Sequence, residues 1–477
     1  MEAQEAFAAL HRKCRAYYDG MAALYSGDRT LLQITGERDS FWRRPGKAKL
    51  HVPVAADIAA ISAELLFGEE PRFQISCGTG YGDPGEKSLR LNEIARRNSL
   101  SAILTEAAES AAALGEVFLK VSWSEAAEFP LISVRQADAS CPEYGPSGLT
   151  AIHFFQKVRT DPSKGTVWRI WEKYEPGRIR MGLFRGNGTE LGEREEDAAL
   201  RALGYAPDME VPVDDLLAVH IPNLRPNRLL RDSQMGRSDL EGLRGLMDAL
   251  DEAYTSWLRD IRLAKSRLIV PAEYLRRRPR DLFRDGQYTY EFDEDVETLV
   301  ALDIDTSHSG SQILPSQFPI RNQEHLGTCE HLLRTVFSLA GYSPQTFGLD
   351  IAGSAESGTA LHMRERKSYQ TRGKKVTYWK GPLEALLTGL IRLDGELFSH
   401  AFDGDDAVQV TFPAPAASDL SSTATAVHLL RQAGLLSVRE GVGMVHPDWV
   451  PDLVAEEVER IREETGDKED GENGSGL

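Results

Sequence analysis

The sequence predicts an α+β protein made of several parts. Three observations carry this: helical periodicity toward both ends, a central run of short β-rich segments, and one long helix with a single apolar seam. At 477 residues the chain exceeds what one hydrophobic core organises, so two or more domains or an elongated subunit are expected. A hydrophobic fraction of 41% with 27% charged residues excludes wholesale disorder.

Residues 3–25 read as an amphipathic helix carrying Phe7, Leu10, Tyr17, Tyr18, Met21 and Leu24, followed by a polar link from Gly36 to Arg44. In KLHVPVAADIAAISAELLFGEEPRF, Pro53 precedes a helical pattern of Ile58, Ile61, Leu65 and Leu66 that Gly68 and Pro71 stop. After the turn-rich GTGYGDPG, the stretch from Leu89 to about Leu114 is again helical. GEVFLKVSW (115–123) then turns to β-branched and aromatic residues. From about 131 to 222, segments such as AIHFFQKV and VWRIWEKY alternate with turn residues, the pattern of an antiparallel sheet. Residues 1–237 thus form one α+β region.

Ser238 and Glu241 have the spacing of a capping box, and Leu240, Leu243, Met247, Leu250, Tyr254, Trp257 and Ile261 alternate spacings of 3 and 4. A helix of roughly 26 residues would span on the order of 39 Å and need a partner along most of its length. Residues 265–320 interrupt it with a basic cluster (Arg276, Arg277, Arg278, Arg280) and the strand-like QYTYEF. Helical pattern returns at 321–340, with Leu326, Cys329, Leu333 and Val336 on one face, making a hairpin with an elaborated tip. A Gly- and Ser-rich loop follows at 341–358. Phe347, Leu349 and Ile351 are apolar residues that an idle solvent loop would not require, while Gly348, Gly353 and Gly358 add backbone freedom. From Thr359 to about His400 the composition is helical, with interruptions expected at Gly373 and at Gly381-Pro382. AVQVTF reads as a strand, 418–465 as two or three helices jointed at 434–436, and the acidic tail from Gly466 as disordered.

A net charge of −18 argues against a protein that wraps nucleic acid with its whole surface. The four cysteines, Cys14, Cys77, Cys141 and Cys329, lack CxxC pairing and the chain starts without an apolar signal core, so a reducing, cytoplasmic setting is expected. No run reaches the ~18 apolar residues of a membrane helix. GTGYG lacks the spacing of a dinucleotide loop, no P-loop is present, and His325, Cys329 and His331 do not share one helix face. No catalytic residue, metal or cofactor is therefore expected. The stretch 362–380 holds Arg364, Arg366, Lys367, Arg372, Lys374, Lys375 and Lys380 against Glu365 alone. Two readings stand for it: a solvated or internally ion-paired helix face, or contacts to phosphates. The Arg276–Arg280 cluster admits the same alternatives, with partner docking as its functional reading.

These elements, in this order, resemble the portal proteins of tailed bacteriophages, of the siphophage Gp6-like kind. The early helix ending in LFGEEP, GEVFLKVSW, GRSDLEGLRGLMDALDEAYTSWLRDIRLAKSRLIVP, FGLDIAGSAESGTALHMRERK and VTFPAPAASDLSSTATAVHLLRQAGLLSVREGV carry the resemblance over residues from about 49 to 465. It implies an elongated subunit with an α/β wing (1–237), stem helices at 238–264 and 321–342, a clip at 265–320 and a tunnel loop at 343–358. A long kinked wing helix (359–400), a helical crown (401–465) and a disordered tail (466–477) complete it. The resemblance further implies a ring, generally dodecameric, at one capsid vertex of the virion, assembled in the host cytoplasm, through which double-stranded DNA enters and leaves. Terminase large subunit, head–tail adaptor, capsid and scaffold proteins are the implied partners, with no membrane and no cofactor. Phe347, Gly348, Leu349, Asp350, Ile351, Gly353 and Ser354 would narrow the channel. Some of Arg364, Arg366, Lys367, Arg372, Lys374 and Lys375 would meet phosphates and the rest would form salt bridges, while Arg276–Arg280 would face a partner. Twelve copies at −18 carry −216, a largely repulsive lumen that suits sliding DNA. A nucleic-acid-processing enzyme with a dispersed site and a monomeric head or tail adaptor are the competing readings.

Overall fold

The computed structural model of the chain describes residues 2–28, 50–76, 84–124, 127–264, 267–269, 276–279, 288–291, 314–316, 319–349, 358–398, 402, 404–413, 420–446 and 451–472. Two compact units divide the chain. The first joins Met1–Glu37, Pro53–Leu243 and Phe337–Leu477, and the second joins Arg38–Val52 to Arg244–Val336.

In the first unit, α1 (Ala3–Lys13) and α2 (Asp19–Ser26) are joined by a π-helical turn at Cys14–Tyr18. Phe7, Leu10, Tyr17, Tyr18 and Leu24 are buried, as the periodicity predicts. Helix α3 (Val54–Phe67) ends at Gly68 and leads into β1 (Arg72–Ser76). The stretch read as helical is two helices, α4 (Pro84–Arg97) and α5 (Leu100–Leu114). Ser99 at φ 54° breaks the run, and the Asn98 side chain holds the break by donating to Ile94 and Pro130 carbonyls and accepting from Ile132 N–H. Apolar spacing continued across the break because both helices bury the same kind of face.

Strands β2 (Glu116–Ser122) and β3 (Leu131–Gln136) form an antiparallel sheet completed by β10 (Ala218–Pro222). The larger sheet is the antiparallel meander β4 (Ser140–Gly145), β5 (Gly148–Asp161), β6 (Thr166–Glu175), β7 (Arg178–Gly186) and β8 (Glu193–Arg194). Short helix α6 (Asp197–Ala202) follows, and β9 (Asp208–Glu210) pairs with β7.

Two sequence expectations change here. Ser238 and Glu241 do not cap a helix of their own. Ser238 Oγ donates to the Ala112 and Ala113 carbonyls, Asp239 N–H donates to Ala112, and Glu241 accepts from Tyr17. Ser238 and Asp239 satisfy the orphan carbonyls at the end of α5 instead, and Glu241 holds the Tyr17 hydroxyl. This approach requires glycine on both sides: a Cβ at Gly236 would lie 1.9 Å from the Gly115 carbonyl oxygen. Helix α7 therefore starts at Arg244 and runs to Leu263, about 30 Å rather than 39 Å.

In the second unit, residues 50–52 hold α7 near its middle: Asp251 accepts from Val52 N–H and bonds His51 Nδ1 at 2.8 Å. Small antiparallel pairs follow, β11 (Arg267–Ile269) with β14 (Leu314–Ser316) and β12 (Arg276–Pro279) with β13 (Tyr288–Glu291). Helix α8 (Asn322–Ala340) returns the chain to the first unit. Asp260 accepts from Arg321 and from His325 at 2.9 Å, and Trp257 stacks on His325, so α7 and α8 meet within one chain. These two donors, His325 foremost, hold the Asp260 carboxyl below the usual carboxylate range.

After α8 the chain forms α9 (Gly358–Leu397), then β15 (Ala407–Thr411), α10 (Leu420–Gln432), α11 (Val438–Val445) and α12 (Pro451–Glu472). Helix α9 passes through Gly373, Gly381 and Pro382 without the expected interruption. Strand β15 pairs with β1 rather than grouping with the C-terminal helices, because Val408 and Val410 alternate inward and complete the core behind α9. Gly434, at φ 69° after α10, is the predicted joint. The segment from Gly466 to Glu472 is helical where composition suggested disorder: each turn added to an existing helix gains one bond per residue fixed.

Inside the first unit lies a fully buried carboxylate, Glu116. It accepts from Tyr18 OH, from His220 Nε2 at 2.8 Å and from Gly236 N–H at 2.8 Å. Burial, the largest influence, would raise its pKa, yet His220, Tyr18 and Gly236 together bring it below the ordinary glutamate value. A depressed carboxylate contributes stability that is present above its unfolded pKa and is lost as pH falls through the folded one. Glu116→Gln should cost about 1–3 kcal/mol near neutrality, since an amide cannot accept from all three donors. The gap in melting temperature between wild type and variant should shrink below about pH 4.5. A gap that is constant with pH would show that the carboxylate charge is not what these donors hold.

Candidate functional site: a clamped loop and a basic helix

The segment after α8 is fastened to α9 residue by residue. Gly341, at φ 105°, turns the chain out of the helix. Its carbonyl accepts from Thr371 Oγ1 at 2.6 Å, Ser343 N–H donates to Ser368 Oγ at 2.9 Å, and Thr346 and Ser368 hydroxyls meet at 2.8 Å. Pro344–Phe347 is a single 3-10 turn closed by Gly348 at φ 73°. The Phe347 ring lies flat on Phe337, with centroids 3.8 Å apart, and edge-on to Tyr342.

Below this turn sits a buried charge pair. Lys375 Nζ donates to Asp239 Oδ2, to Ser62 Oγ at 2.6 Å and to Tyr342 OH at 2.9 Å. Asp239 also accepts from Tyr342 OH at 2.7 Å and from Asn223 Nδ2 at 2.9 Å. Burial pushes the Lys375 ammonium below the ordinary lysine value, against the opposing pull of Asp239, and burial drives the Tyr342 phenol well up. Arg372 is also inward: Nε donates to the Leu65 carbonyl in the last turn of α3 and Nη2 donates to the Pro413 carbonyl. A cation there complements the negative end of the helix.

The spacing of 368, 371, 372, 375 and 379 is one helical face, and it is buried, ending in the fully enclosed Trp379. Arg366, Lys367 and Lys374 lie on the opposite, exposed face. The helix thus sorts the basic stretch. Arg372 and Lys375, named as phosphate candidates, are committed to internal partners and are corrected to structural residues. Arg366 and Lys374 are exposed, and Lys367 is exposed while bonding the Ser338 carbonyl and hydroxyl. The side chain of Arg364 lies outside the described residues. Of the loop candidates, Phe347, Gly348 and Leu349 belong to the clamped turn, while Asp350, Ile351, Gly353 and Ser354 lie outside the described residues. Arg276, Arg277 and Arg278 lie on β12, whose register sets Arg276 opposite Glu291; Arg280 lies outside the described residues.

Sequence reasoning missed Asp239, Ser62, Tyr342, Ser368 and Thr371. The one available signal was Lys375 itself, whose place on the apolar face of an otherwise amphipathic helix requires a buried anion. Among the described residues no group of three His, Cys, Asp or Glu side chains is arranged to hold a metal, and no helix is long and apolar enough to cross a membrane.

Comparison with known proteins gives one family. A family described as "Phage portal protein, SPP1 Gp6-like" matches residues 13–471. No curated protein sequence matches the chain. Among solved structures, the neck of an empty GTA particle computed with C6 symmetry is 12% identical at a TM-score of 0.48, covering 88% of this chain and 93% of that one. The neck of a native GTA particle computed with C12 symmetry is 12% identical at 0.46, over 88% and 93% of the two chains. A chain of the virion of a native gene transfer agent particle is 13% identical at 0.42, over 88% and 98%. With its family match extending over nearly its whole length, the chain belongs to the SPP1 Gp6-like phage portal proteins, structural parts of the phage particle rather than enzymes.

Proposed function

We propose that this portal protein works as a dodecameric ring at one capsid vertex and that double-stranded DNA passes through its channel during packaging and ejection. In this reading the wing is the part of the first unit that precedes α7, together with α9 as its long helix and with β15, which belongs to the wing rather than the crown. Helices α7 and α8 form the stem, the two small strand pairs the clip, the turn at 343–349 the base of the tunnel loop, and α10–α12 the crown. Terminase and a head–tail adaptor dock at the clip, where Arg276–Arg278 sit, and capsid and scaffold proteins surround the wing.

The observation that carries this reading is the two-sidedness of α9. One face is buried and clamps the loop base, and the other keeps Arg366, Lys367 and Lys374 exposed. A conduit needs that arrangement: a loop on a firm base, a few basic groups for transient phosphate contact, and otherwise a repelling −18 per chain.

Light scattering of the purified chain across salt and concentration tests the ring. A species many times 52.9 kDa is expected, and a persistent monomer would overturn the proposal. In the assembled ring, Arg366→Ser with Lys374→Ser should reduce DNA retention and flatten its salt dependence without altering oligomer size. Retention and salt slope equal to wild type would remove these residues from the channel.

A further inference from the structure

A cavity of about 640 Å³ opens in the first unit between α1 and strands β3, β5 and β6. One wall is apolar, with Phe7 and Phe155 edge to face at 5.1 Å. The other wall carries cations. Arg169 is only 3% exposed, yet among the described residues no carboxylate pairs with it. Its guanidinium lies over the Phe7 ring and donates to one carbonyl, that of Asn187, at 2.8 Å. The sheet register sets Lys157 directly opposite Arg169, a like-charge cross-strand pair that costs stability unless an anion lies between them. A β-bulge follows at once, between Lys157 and Arg159, the device that re-aims side chains beside functional sites. Arg135 is committed elsewhere: it donates to Gln156 and pairs with Glu172 at 4.0 Å.

The cavity also has acidic lining, Asp19, Glu106 and Asp138, and Asp138 interacts with Lys157 rather than with Arg169. Asp138 is influenced by Lys157 and Asp19, whereas burial alone acts on Arg169 and pushes its pKa down. Buried charges in folded proteins are paired, because an isolated one forfeits its hydration. A planar guanidinium fork held open against an aromatic wall is shaped to take two oxygens of one anion.

We propose that this cavity is an oxyanion-binding site in which Arg169 and Lys157 hold a phosphate or carboxylate group. The apolar wall of Phe7 and Phe155 would receive the uncharged part of a ligand that bears such a group. The inference uses only the wing fold and does not depend on ring assembly.

Thermal unfolding of the full chain tests it, with inorganic phosphate in one arm and glutarate in the other, each against chloride at matched ionic strength. A saturable rise in melting temperature with one of the two anions is expected, and the anion that produces it identifies phosphate or carboxylate as the ligand group. In Arg169→Met the rise should vanish, with no loss of stability in chloride, since an uncompensated charge has been removed. Lys157→Gln, at an exposed position where folding is not at stake, should weaken the apparent affinity about tenfold. No saturable shift with either anion, or the same shift in both variants as in wild type, overturns the site and leaves only a general salt effect.

Discussion

Replacing Lys375 by methionine should destabilise the protein by about 3–5 kcal/mol, although the two side chains are of similar length. Lys375 and Asp239 are both essentially inaccessible to solvent, with side-chain exposures of 1% and 0%. Methionine would fill the space of the aliphatic stem but leave the Asp239 carboxylate with only Tyr342 OH and Asn223 Nδ2 as side-chain donors. An isolated buried charge costs far more than the pair contributes. Adding Asp239→Asn to Lys375→Met removes the stranded charge, and most of the loss should return. Urea unfolding of the wild type, both single variants and the double variant completes the cycle. A single-variant cost below about 1 kcal/mol, or a double variant no better than the single, would contradict the pairing. The same lesion should loosen the loop base, because Tyr342 is the hinge of the clamp. Exchange of the 342–348 amides should therefore quicken in Lys375→Met and slow again in the double variant.

Leu250→Asp should cost about 4–5 kcal/mol and lower the melting temperature of the second unit even in a single chain. The seam of α7 was expected to need a partner along most of its length, and here the structure divides it. Met247 and Leu250 are buried within the chain, at 4% and 0% exposure, while Leu258 and Ile261 are 37% and 45% exposed. An aspartate at 250 is therefore enclosed without a partner whether or not a ring forms. An aspartate at 261 sits at the open end of the seam, beside neither clash nor enclosure. Ile261→Asp should leave single-chain melting unchanged and reduce ring formation. Calorimetry paired with light scattering reads both effects. Equal melting losses in the two variants would erase the distinction between an inner and an open half of the seam.

Much of the local structure was legible from periodicity. The apolar stripe of Phe7, Leu10, Tyr17 and Leu24, the stop at Gly68 and Pro71, the strand patterns of 115–222 and the joint at Gly434 all follow from where apolar and turn residues recur along the chain. The order of those elements carried the family resemblance. What periodicity reports is which face of an element is apolar, because that depends only on residues three, four or two apart.

The site was less legible, because its polar groups choose partners by topology. Ser238 and Glu241 have capping-box spacing, but Ser238 serves the end of a helix more than a hundred residues earlier and Glu241 accepts from Tyr17. Seven basic side chains on one stretch look alike in sequence, yet Arg372 and Lys375 turn inward to Leu65, Ser62 and Asp239 while Arg366 and Lys374 do not. Strand β15 reads as the start of a C-terminal domain until β1, more than 330 residues away, supplies its ladder. By itself the sequence determined the fold class, the elements and the family. The tertiary structure alone decided which charges are buried and which remain available, since a buried charge is tolerated only where the fold brings its partner within hydrogen-bond reach.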